Sequence, residues 1–383
     1  MQNKTAPKKD LPLPDYYLLG AVLLMMALGM LMVMSSSAIM AERLYGDHYY
    51  FFKKQGVYTL FGLFAMYFGY KMPVKFFYKT VYLWLLAALM LLLLTLSPLG
   101  IEAGGASRWL GFGVATFQPL EFAKVALVLY LAYFFSHKQD MVKTFSVGFL
   151  PPLLVTGTIA LVLMLQPDFG GAVFLTAVLF FMSLVGGTRL VYLLSSAILC
   201  AGAGALMIME SSYRLQRWMA FLEPFEHAKD VGYQVVQSFY GLGAGGVFGK
   251  GLGAGKQKLF YLPEAHTDFI LAVLGEEMGF VGVSLVLFCL VVIVFRCFKN
   301  AFERFELQDR FTILGLALNI VLGGVLNIAV ALGAVPPKGQ PMPFISYGGS
   351  NMIMMSLSVG LILNIAGSEN VKSGPVVYRL NKN

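Results

Sequence analysis

The chain has 383 residues, of which 58% are hydrophobic and 13% are charged, and its formal net charge is +8. An ordinary soluble domain carries about 25% charged residues, so this composition excludes a water-soluble fold and indicates that lipid is the main solvent. The basic residues lie between apolar runs and form no nucleic-acid module, so the positive charge favours phospholipid or an anionic lipid substrate over nucleic acid.

The first apolar run, Tyr16 to Met34, follows Lys4, Lys8 and Lys9 and so resembles a secretory signal peptide. The apolar region of a signal peptide has about 7–15 residues, and this run is longer. Many further apolar runs follow it. We therefore predict that it is an uncleaved first membrane span.

Apolar runs of this kind recur along the whole chain. A bilayer core about 30 Å thick requires roughly 20 apolar helical residues. The runs predict an all-α polytopic membrane protein of about ten transmembrane helices with one large extracytoplasmic loop. The predicted spans are Tyr16–Ser36, Gln55–Tyr70, Thr80–Leu96, Phe117–Phe135, Val147–Leu165, Gly171–Val185, Leu190–Met209, Phe269–Phe295, Phe311–Leu332 and Ser346–Ala366.

Positive charges in the short loops predict the orientation in the membrane. With the N-terminus inside, most short-loop lysines and arginines lie on the cytoplasmic side. The exceptions, on the outer side, are Arg43, Lys53, Lys54, Arg108 and Lys338. Both termini are therefore predicted to be cytoplasmic, within one membrane domain over residues 1–383. The one long connection, residues 210–267, is predicted to be the extracytoplasmic loop.

The long connection contains a glycine-rich segment, GLGAGGVFGKGLGAGK, from Gly241 to Lys256. A nucleotide P-loop requires GxxxxGK followed by Ser or Thr, and this spacing is absent. A flexible or tightly turning outer loop is the main interpretation. Lys250, Lys256 and Lys258 remain candidates to bind the pyrophosphate of a lipid.

Immediately after this segment, polar residues run directly into an apolar span in LPEAHTDFILAVLGEEMGF. Asp268 is therefore predicted to lie at a helix N-terminus near the outer membrane surface. Thr267 is a suitable N-cap, and an acid in the first turn stabilises a helix dipole. Helix capping and catalysis thus explain Asp268 equally well from spacing alone, and His266 carries the same ambiguity.

Ionisable residues near or within membrane spans are costly and mark candidate functional positions. Arg108, beside Trp109 in GASRWLGF, is predicted to lie on the outer rim as a recognition group. Glu121 and Lys124 are three residues apart in QPLEFAK. Such a pair lies on one helical face, so mutual neutralisation is slightly favoured over substrate contact.

Two outer turns combine polar residues with proline and glycine. In QPDFG, Asp168 is predicted either to cap the next helix or to serve the site. In PPKGQPMPFISYGGS, Pro336 to Ser350, rigid prolines precede the last span, and Lys338 supplies one cation. We predict a re-entrant or cavity-lining loop there, because irregular backbone at membrane depth must line a cavity or be buried in protein.

Taken in order, the chain's motifs resemble the SEDS family (shape, elongation, division and sporulation) of multi-spanning peptidoglycan glycosyltransferases. The resemblance covers nearly all of the chain and is closest to the division branch of the family. Two positions depart from the family pattern: Leu120 replaces a small residue, and Asn351 stands where a second Ser is common. The motifs that carry the resemblance are GASRW, QPLEFAK, QPDFG, YRLQR, GKGLG, LPEAHTDFI, GEEMGF and PKGQPMPFISYGGS.

The resemblance implies an inverting transfer of a growing glycan from its polyprenyl pyrophosphate to the hydroxyl of lipid II, on the outer face of a bacterial plasma membrane. It implies that Asp268 is the general base, and it makes a set of cations candidates to hold the pyrophosphates. These cations are Arg108, Arg214, Arg217, Lys250, Lys256 and Lys338. It also implies a class B penicillin-binding protein and other division proteins as partners at the septum. A divalent cation such as magnesium is the one cofactor left open.

Three alternatives remain at this point. A lipid II flippase would use membrane-depth charges such as Glu121 and Lys124 to carry a pyrophosphate across the bilayer. An elongation-type polymerase would perform the same chemistry outside division. A non-catalytic scaffold would only hold a transpeptidase partner. A polymerase needs one acid at the outer surface, whereas a flippase needs a polar path to the cytoplasmic side.

Overall fold

The protein is described by a computed structural model that covers residues 14–368 except residues 104, 114, 231 and 338. Lys338 and the terminal lysines and arginines used to predict the orientation therefore lie outside the described residues. The helices, in chain order, are α1 (Tyr16–Tyr45), α2 (Tyr50–Lys71), α3 (Val74–Lys79), α4 (Val81–Leu94), α5 (Pro119–His137), α6 (Leu150–Leu165), α7 (Phe169–Gly186), α8 (Leu190–Met209), α9 (Ser212–Leu222), α10 (Tyr233–Gly245), α11 (Ile270–Glu303), α12 (Leu307–Ala331) and α13 (Gly349–Gly367).

Each predicted span coincides with a helix, and the chain is a polytopic, predominantly α-helical membrane protein. Within the described residues, 8 helical segments are long and apolar enough to cross a membrane. The other two predicted spans are α2 and α4. Helix α2 carries Lys53 and Lys54 near its N-terminus and ends at Lys71. Helix α4 has only 14 residues, about 21 Å of helix.

Helices α5, α12 and α13 form the centre of the bundle. The apolar windows of α5 and α13 are 83% and 78% buried, whereas that of α8 is 11% buried. Helix α2 lies along α13, where a Cβ at Gly62 or Gly69 would crowd Ser356 or Leu357. Small residues allow this close approach, as is common between membrane helices. Helix α8, by contrast, lies at the edge of the bundle, because so little of it is buried.

A small β-sheet joins α4 to α5, which the sequence-based all-α prediction did not include. Strands β1 (Gly100–Ala103), β2 (Ala106–Phe112) and β3 (Ala115–Phe117) form one antiparallel sheet in the order β1-β2-β3. Ile101 pairs with Trp109 and Leu110 with Phe117. Three strands of 4, 7 and 3 residues are too short to give a periodic sequence pattern. The sheet carries Arg108 on its central strand.

The predicted outer loop 210–267 is largely folded and contains a re-entrant hairpin. Helix α10 runs parallel to the start of α11, because Gly241 faces Ala272 and Gly245 faces Gly275. The glycine-rich segment then lies against α11 near Gly279, about 14 Å beyond the start of that helix and so roughly halfway through the bilayer core. The segment turns tightly, as predicted, because Gly246, Gly249, Gly251 and Gly253 have positive φ, and it packs against α11.

Helix α11 is interrupted where the hairpin meets it. Gly279 has non-helical backbone angles, with φ 65°, and a Cβ there would overlap the backbone of Val247 and Gly249. The amides of Lys250 and Phe280 donate to the carbonyls of Glu276 and Gly246 at 3.0 and 2.9 Å. Backbone groups freed by the break are thus paired within the protein, as the membrane interior requires.

The segment that precedes α13 also folds into the bundle, as predicted for residues 336–350. Met342, Phe344 and Ile345 are fully buried. A Cβ at Gly29, near the middle of α1, would overlap the backbone of Phe344 and Ile345. This irregular segment is therefore enclosed by protein at membrane depth. It also brings Gln340 beside the start of α5.

Candidate active site

Asp268 lies just before α11 and does not cap it. The helix begins at Ile270, and its N-cap, Phe269, makes no side-chain capping bond. The Thr267 hydroxyl, predicted to cap the helix, instead donates to Glu264 Oε2 at 2.6 Å. The capping interpretation of Thr267 and Asp268 was therefore wrong. The Asp268 carboxyl is left available for another role.

The backbone around Asp268 is held by polar side chains from α12 and from the segment before α13. The Asn327 amide donates to the Asp268 carbonyl at 2.8 Å and to the Gln340 carbonyl at 2.9 Å. The Ser346 hydroxyl donates to the Thr267 carbonyl at 2.6 Å. Gly339 lies so close that a Cβ there would be 3.5 Å from Asp268 Oδ2. These contacts fix the position of the carboxyl without using its oxygens.

The electrostatic surroundings hold the pKa of Asp268 at about 7. Burial raises this pKa most, and the negative charge of Glu264 raises it further, whereas Arg108 and Arg217 lower it. Burial disfavours the charged form of a carboxyl because the protein interior solvates charge poorly. A carboxyl with this pKa can accept a proton near neutral pH.

His266 is mainly a packing residue. Its ring lies 4.9 Å from that of Phe51 and 5.7 Å from that of Tyr347, measured between ring centres. Burial lowers the pKa of His266, and the charge of Glu264 partly offsets this effect. The side chain is only 7% exposed. A neutral, enclosed imidazole between two aromatic rings is better suited to supporting the Asp268 segment than to contacting a substrate.

Arg108 is anchored at the loop between α6 and α7. Its Nη2 donates to the Pro167 carbonyl, and its Nε lies 4.0 Å from Asp168 Oδ1. Asp168 accepts from the amide of Gly171 at 3.0 Å, so its predicted capping of α7 is confirmed. Arg108 is one of the two arginines that lower the pKa of Asp268. This predicted site residue therefore belongs to the electrostatic surroundings of the Asp268 carboxyl.

Helix α9 contributes the other two predicted arginines. Arg217 lowers the pKa of Asp268 and therefore belongs to the same electrostatic neighbourhood. Arg214 donates through Nη1 to the Met207 carbonyl at 3.2 Å and lies 5.9 Å from the centre of the Phe169 ring. Of Arg214 and Arg217, only Arg217 therefore acts electrostatically on Asp268.

Glu121 and Lys124 form a closed buried pair at the start of α5. Lys124 Nζ lies 2.7 Å from Glu121 Oε1 and 3.1 Å from Gln340 Oε1. Asn351 Nδ2 donates to Glu121 Oε2 at 3.0 Å, and both charged side chains are 1% exposed. The favoured interpretation, a self-neutralising pair, is confirmed. Asn351, one of the two departures from the family pattern, thus contacts a charged residue of this pair.

The lysines of the glycine-rich hairpin are tied to α11. Lys250 Nζ lies 2.9 Å from Glu276 Oε1, and Lys258 Nζ lies 2.7 Å from Glu277 Oε1. These pairs join the hairpin to the interrupted helix, so Lys250 and Lys258 are not brought to Asp268. Lys256 is exposed, and its backbone amide donates to Glu276 Oε1 at 3.0 Å. Lys338 lies outside the described residues.

Sequence reasoning missed four residues that hold or tune the Asp268 carboxyl. Their only sequence signal is that they are polar residues near or within apolar runs, which membrane interiors make costly. The contacts of Asn327 and Ser346 join positions 59 and 79 residues apart, so no local pattern indicates them. These residues are Glu264, Asn327, Gln340 and Ser346.

A family model described as a cell cycle protein, and named for FtsW, RodA and SpoVE, matches residues 16–371. The chain belongs to the FtsW/RodA/SpoVE family. A "Probable peptidoglycan glycosyltransferase FtsW" of Trichlorobacter lovleyi is 40% identical over 363 residues, covering 94% of this chain and 95% of the relative. The corresponding protein of Geobacter sp. (strain M18) is 41% identical over 355 residues, covering 92% and 96%. Stage V sporulation protein E of Bacillus subtilis is 34% identical over 354 residues, covering 92% and 97%.

Solved structures of the FtsW/RodA/SpoVE family share the fold. A chain from a peptidoglycan synthase complex that coordinates polymerization and crosslinking is 28% identical with a TM-score of 0.77, covering 92% of this chain and 97% of the other. The rod shape determining protein RodA of Thermus thermophilus is 27% identical with a TM-score of 0.66, covering 92% and 96%. The sequence-based resemblance to this family is therefore confirmed.

Proposed function

We propose that the chain is a peptidoglycan glycosyltransferase that polymerises lipid II on the outer face of a bacterial plasma membrane. The observation that carries the proposal is the Asp268 carboxyl, which caps no helix and has a pKa of about 7. The names of the relatives support the same reaction. Similarity to FtsW proteins over most of the chain supports a septal role in division rather than elongation.

In the proposed reaction, Asp268 accepts the proton of the acceptor 4-hydroxyl of lipid II as that oxygen attacks the anomeric carbon of the donor glycan. The bond from this carbon to the polyprenyl pyrophosphate breaks, and the configuration inverts. General base catalysis is typically worth a factor of about 10² to 10⁴, and it is most efficient when the pKa lies near the working pH.

Cations near the carboxyl serve the leaving group. Arg108 and Arg217 are the best placed, because both act electrostatically on Asp268. A guanidinium can bind two phosphate oxygens at once, and its charge stabilises the charge that develops on the pyrophosphate. Arg214, Lys256 and Lys338 remain candidates for the same role, whereas Lys250 and Lys258 already pair with Glu276 and Glu277.

The partners follow from the same proposal. A class B penicillin-binding protein would crosslink the glycan that this chain makes, and the solved relative from a peptidoglycan synthase complex supports such an arrangement. Other division proteins would recruit the pair to the septum.

Within the described part of the chain, no group of three or more His, Cys, Asp or Glu residues is arranged to hold a metal. A requirement for a divalent cation such as magnesium stays a prediction.

The buried pair in α5 weighs against the flippase alternative. Lys124 and Glu121 are 1% exposed, and their polar contacts with Gln340 and Asn351 leave them enclosed by protein. A flippase needs charges along a polar path between the two membrane surfaces, but this cluster is closed. We therefore assign the pair a structural role beneath the site.

The decisive experiment compares the unaltered chain with Asp268→Asn, each purified with its transpeptidase partner and supplied with labelled lipid II. We expect the unaltered complex to make long glycan and Asp268→Asn to be slower by about two to four orders of magnitude. Asparagine keeps the size of aspartate but cannot accept the proton. Normal expression and partner binding of the variant serve as the folding control.

Two outcomes would contradict the proposal. Near-normal polymer from Asp268→Asn would remove Asp268 from the mechanism. Transport of labelled lipid II across vesicle membranes by Asp268→Asn but not by Lys124→Ala would favour the flippase. His266→Ala provides a matched comparison and should reduce the rate less than Asp268→Asn, because His266 packs between aromatic rings.

A further inference from the structure

A pocket of about 330 Å³ with several polar lining residues lies at the end of the bundle opposite Asp268. It is formed by α3, the start of α4, the end of α5 and the start of α12. The start of α5 and the end of α12 lie on the Asp268 side, so the pocket faces the other membrane surface. Its polar lining residues are Lys75, Tyr78, Lys79, Tyr82, Tyr133, His137 and Gln308.

The lining is rich in hydrogen-bond donors and contains no carboxylate. Lys75 and Lys79 are exposed, and neither forms an ion pair with the described residues. The Nε2 atom of Gln308 is buried without a hydrogen-bond partner in the described part of the chain. The nearby acid, Asp309, already accepts from the Tyr78 hydroxyl at 2.7 Å. A buried amide without a partner beside two lysines suits an anionic oxygen.

The histidine and tyrosines complete this donor set. His137 Nδ1 lies 2.9 Å from the Tyr133 carbonyl, which leaves its Nε2 for another partner. The His137 and Tyr133 rings are 4.3 Å apart, and Tyr82 packs against Tyr133 at 5.7 Å. Tyrosines at this level are typical of the membrane–water interface.

An apolar strip continues from the pocket along α4. Leu83, Leu86 and Met90 are 64%, 51% and 54% exposed. They are spaced i, i+3 and i+7, which places them on one face of the helix. A ligand with a phosphate and long acyl chains could therefore place its phosphate at Lys75 and Lys79 and its chains along this strip.

We propose that this pocket binds the phosphate headgroup of an anionic glycerophospholipid in the membrane leaflet opposite Asp268. Basic pockets between transmembrane helices on the cytoplasmic side bind such headgroups in other membrane proteins. The pocket shares no residue with the candidate active site. The proposal therefore stands independently of the reaction at Asp268.

The test uses the purified full-length chain and counts retained lipids by native mass spectrometry during titration with phosphatidylglycerol or phosphatidylcholine. We expect one phosphatidylglycerol to bind the unaltered chain more tightly than phosphatidylcholine. Lys75→Ala/Lys79→Ala should weaken its binding roughly tenfold or more, because each lysine near a membrane surface contributes to the attraction of anionic lipid. Lys138→Ala/Lys143→Ala removes the same charge from the same end outside the pocket and should bind normally.

Gln308→Glu serves as a second variant, since it keeps the side-chain shape and places a negative charge beside the phosphate. It should also weaken binding of phosphatidylglycerol. Equal loss in the two double-lysine variants, or equal retention of the two lipids by the unaltered chain, would overturn the proposal. Displacement of phosphatidylglycerol by millimolar inorganic phosphate would also overturn it and assign the pocket to a soluble phosphate.

Discussion

At the scale of single residues, the pKa of Asp268 depends first on burial and then on charged residues, of which Glu264 is nearby in sequence and Arg108 and Arg217 are distant. Its carboxyl is partly buried, and one acid and two arginines act on its pKa in opposite directions. Its backbone is held by Asn327 and, through Thr267, by Ser346. A proton acceptor needs both an accessible lone pair and a fixed position. These residues supply the position without bonding to the carboxyl oxygens.

Arg108→Ala should raise the KM for lipid II far more than Arg43→Ala. Loss of one charge-assisted contact costs about 1.5–3 kcal/mol, or roughly 10-fold to 100-fold in affinity. Glycan synthesis at varied lipid II concentrations measures the effect. The matched control is Arg43, an exposed residue at the end of α1. Equal effects of the two changes would remove Arg108 from substrate recognition.

The polymerisation rate should rise with pH up to about 7 and then level off, because Asp268 must be ionised to act as a base. Below that pH, the rate should fall about tenfold for each pH unit. Glu264→Gln removes a charge that raises the pKa of Asp268, so the rise should move to lower pH. A pH-rate profile unchanged by Glu264→Gln would contradict this assignment.

At the scale of elements, the re-entrant hairpin and the interrupted helix α11 depend on each other. The hairpin places backbone groups at membrane depth, which is tolerated only because they pair with the groups freed at Gly279. Two ion pairs, from Lys250 to Glu276 and from Lys258 to Glu277, reinforce the contact. The hairpin returns to the surface at the segment that carries Asp268. The position of the candidate active site therefore depends on the hairpin and the interrupted helix α11 together.

Gly279→Ala should destabilise the folded protein, whereas Gly243→Ala should not. Gly279 has φ 65°, a conformation that costs a non-glycine residue about 1–3 kcal/mol, and its new Cβ would also overlap the hairpin backbone. A Cβ at Gly243 meets nothing within 4 Å. Thermal unfolding of the two purified variants provides the measurement. Equal melting temperatures would show that the break in α11 tolerates a side chain.

At the scale of the whole molecule, the bundle has two chemically distinct ends. One end carries Asp268, Arg108, Arg217 and the small β-sheet, and the other carries the pocket beside Lys75 and Lys79. Between them, α5, α12 and α13 form a closely packed centre in which the buried Glu121 is paired with Lys124 and Asn351. Such an arrangement separates the two surfaces, as a polymerase confined to one leaflet requires.

Cysteine labelling should place Glu226 outside and Lys143 inside, since the short-loop cations predict that orientation. The background carries Cys200→Ser, because Cys289 and Cys297 are buried and Cys200 is exposed. A membrane-impermeant maleimide should label Glu226→Cys in intact cells. Lys143→Cys should react only after the membrane is opened. The reverse pattern would overturn the predicted topology.

The sequence alone determined the membrane class, the positions of the main helices and the family. Each follows from local information, because a helix in lipid must satisfy its backbone within its own segment and therefore leaves a long apolar run. The pairing of Glu121 with Lys124 and the capping role of Asp168 were likewise predictable, since the partners are only three residues apart.

Only the tertiary structure showed that Asp268 does not cap α11 and revealed the hairpin. Capping and catalysis place an aspartate at the same sequence position, and the capping interpretation fails because α11 begins at Ile270 without a side-chain cap. Lys250 resembled a pyrophosphate ligand until its contact with Glu276 was known. Asn351, a departure from the family pattern, contacts Glu121 across 230 residues. Contacts of this kind arise from packing between elements, which no local pattern encodes.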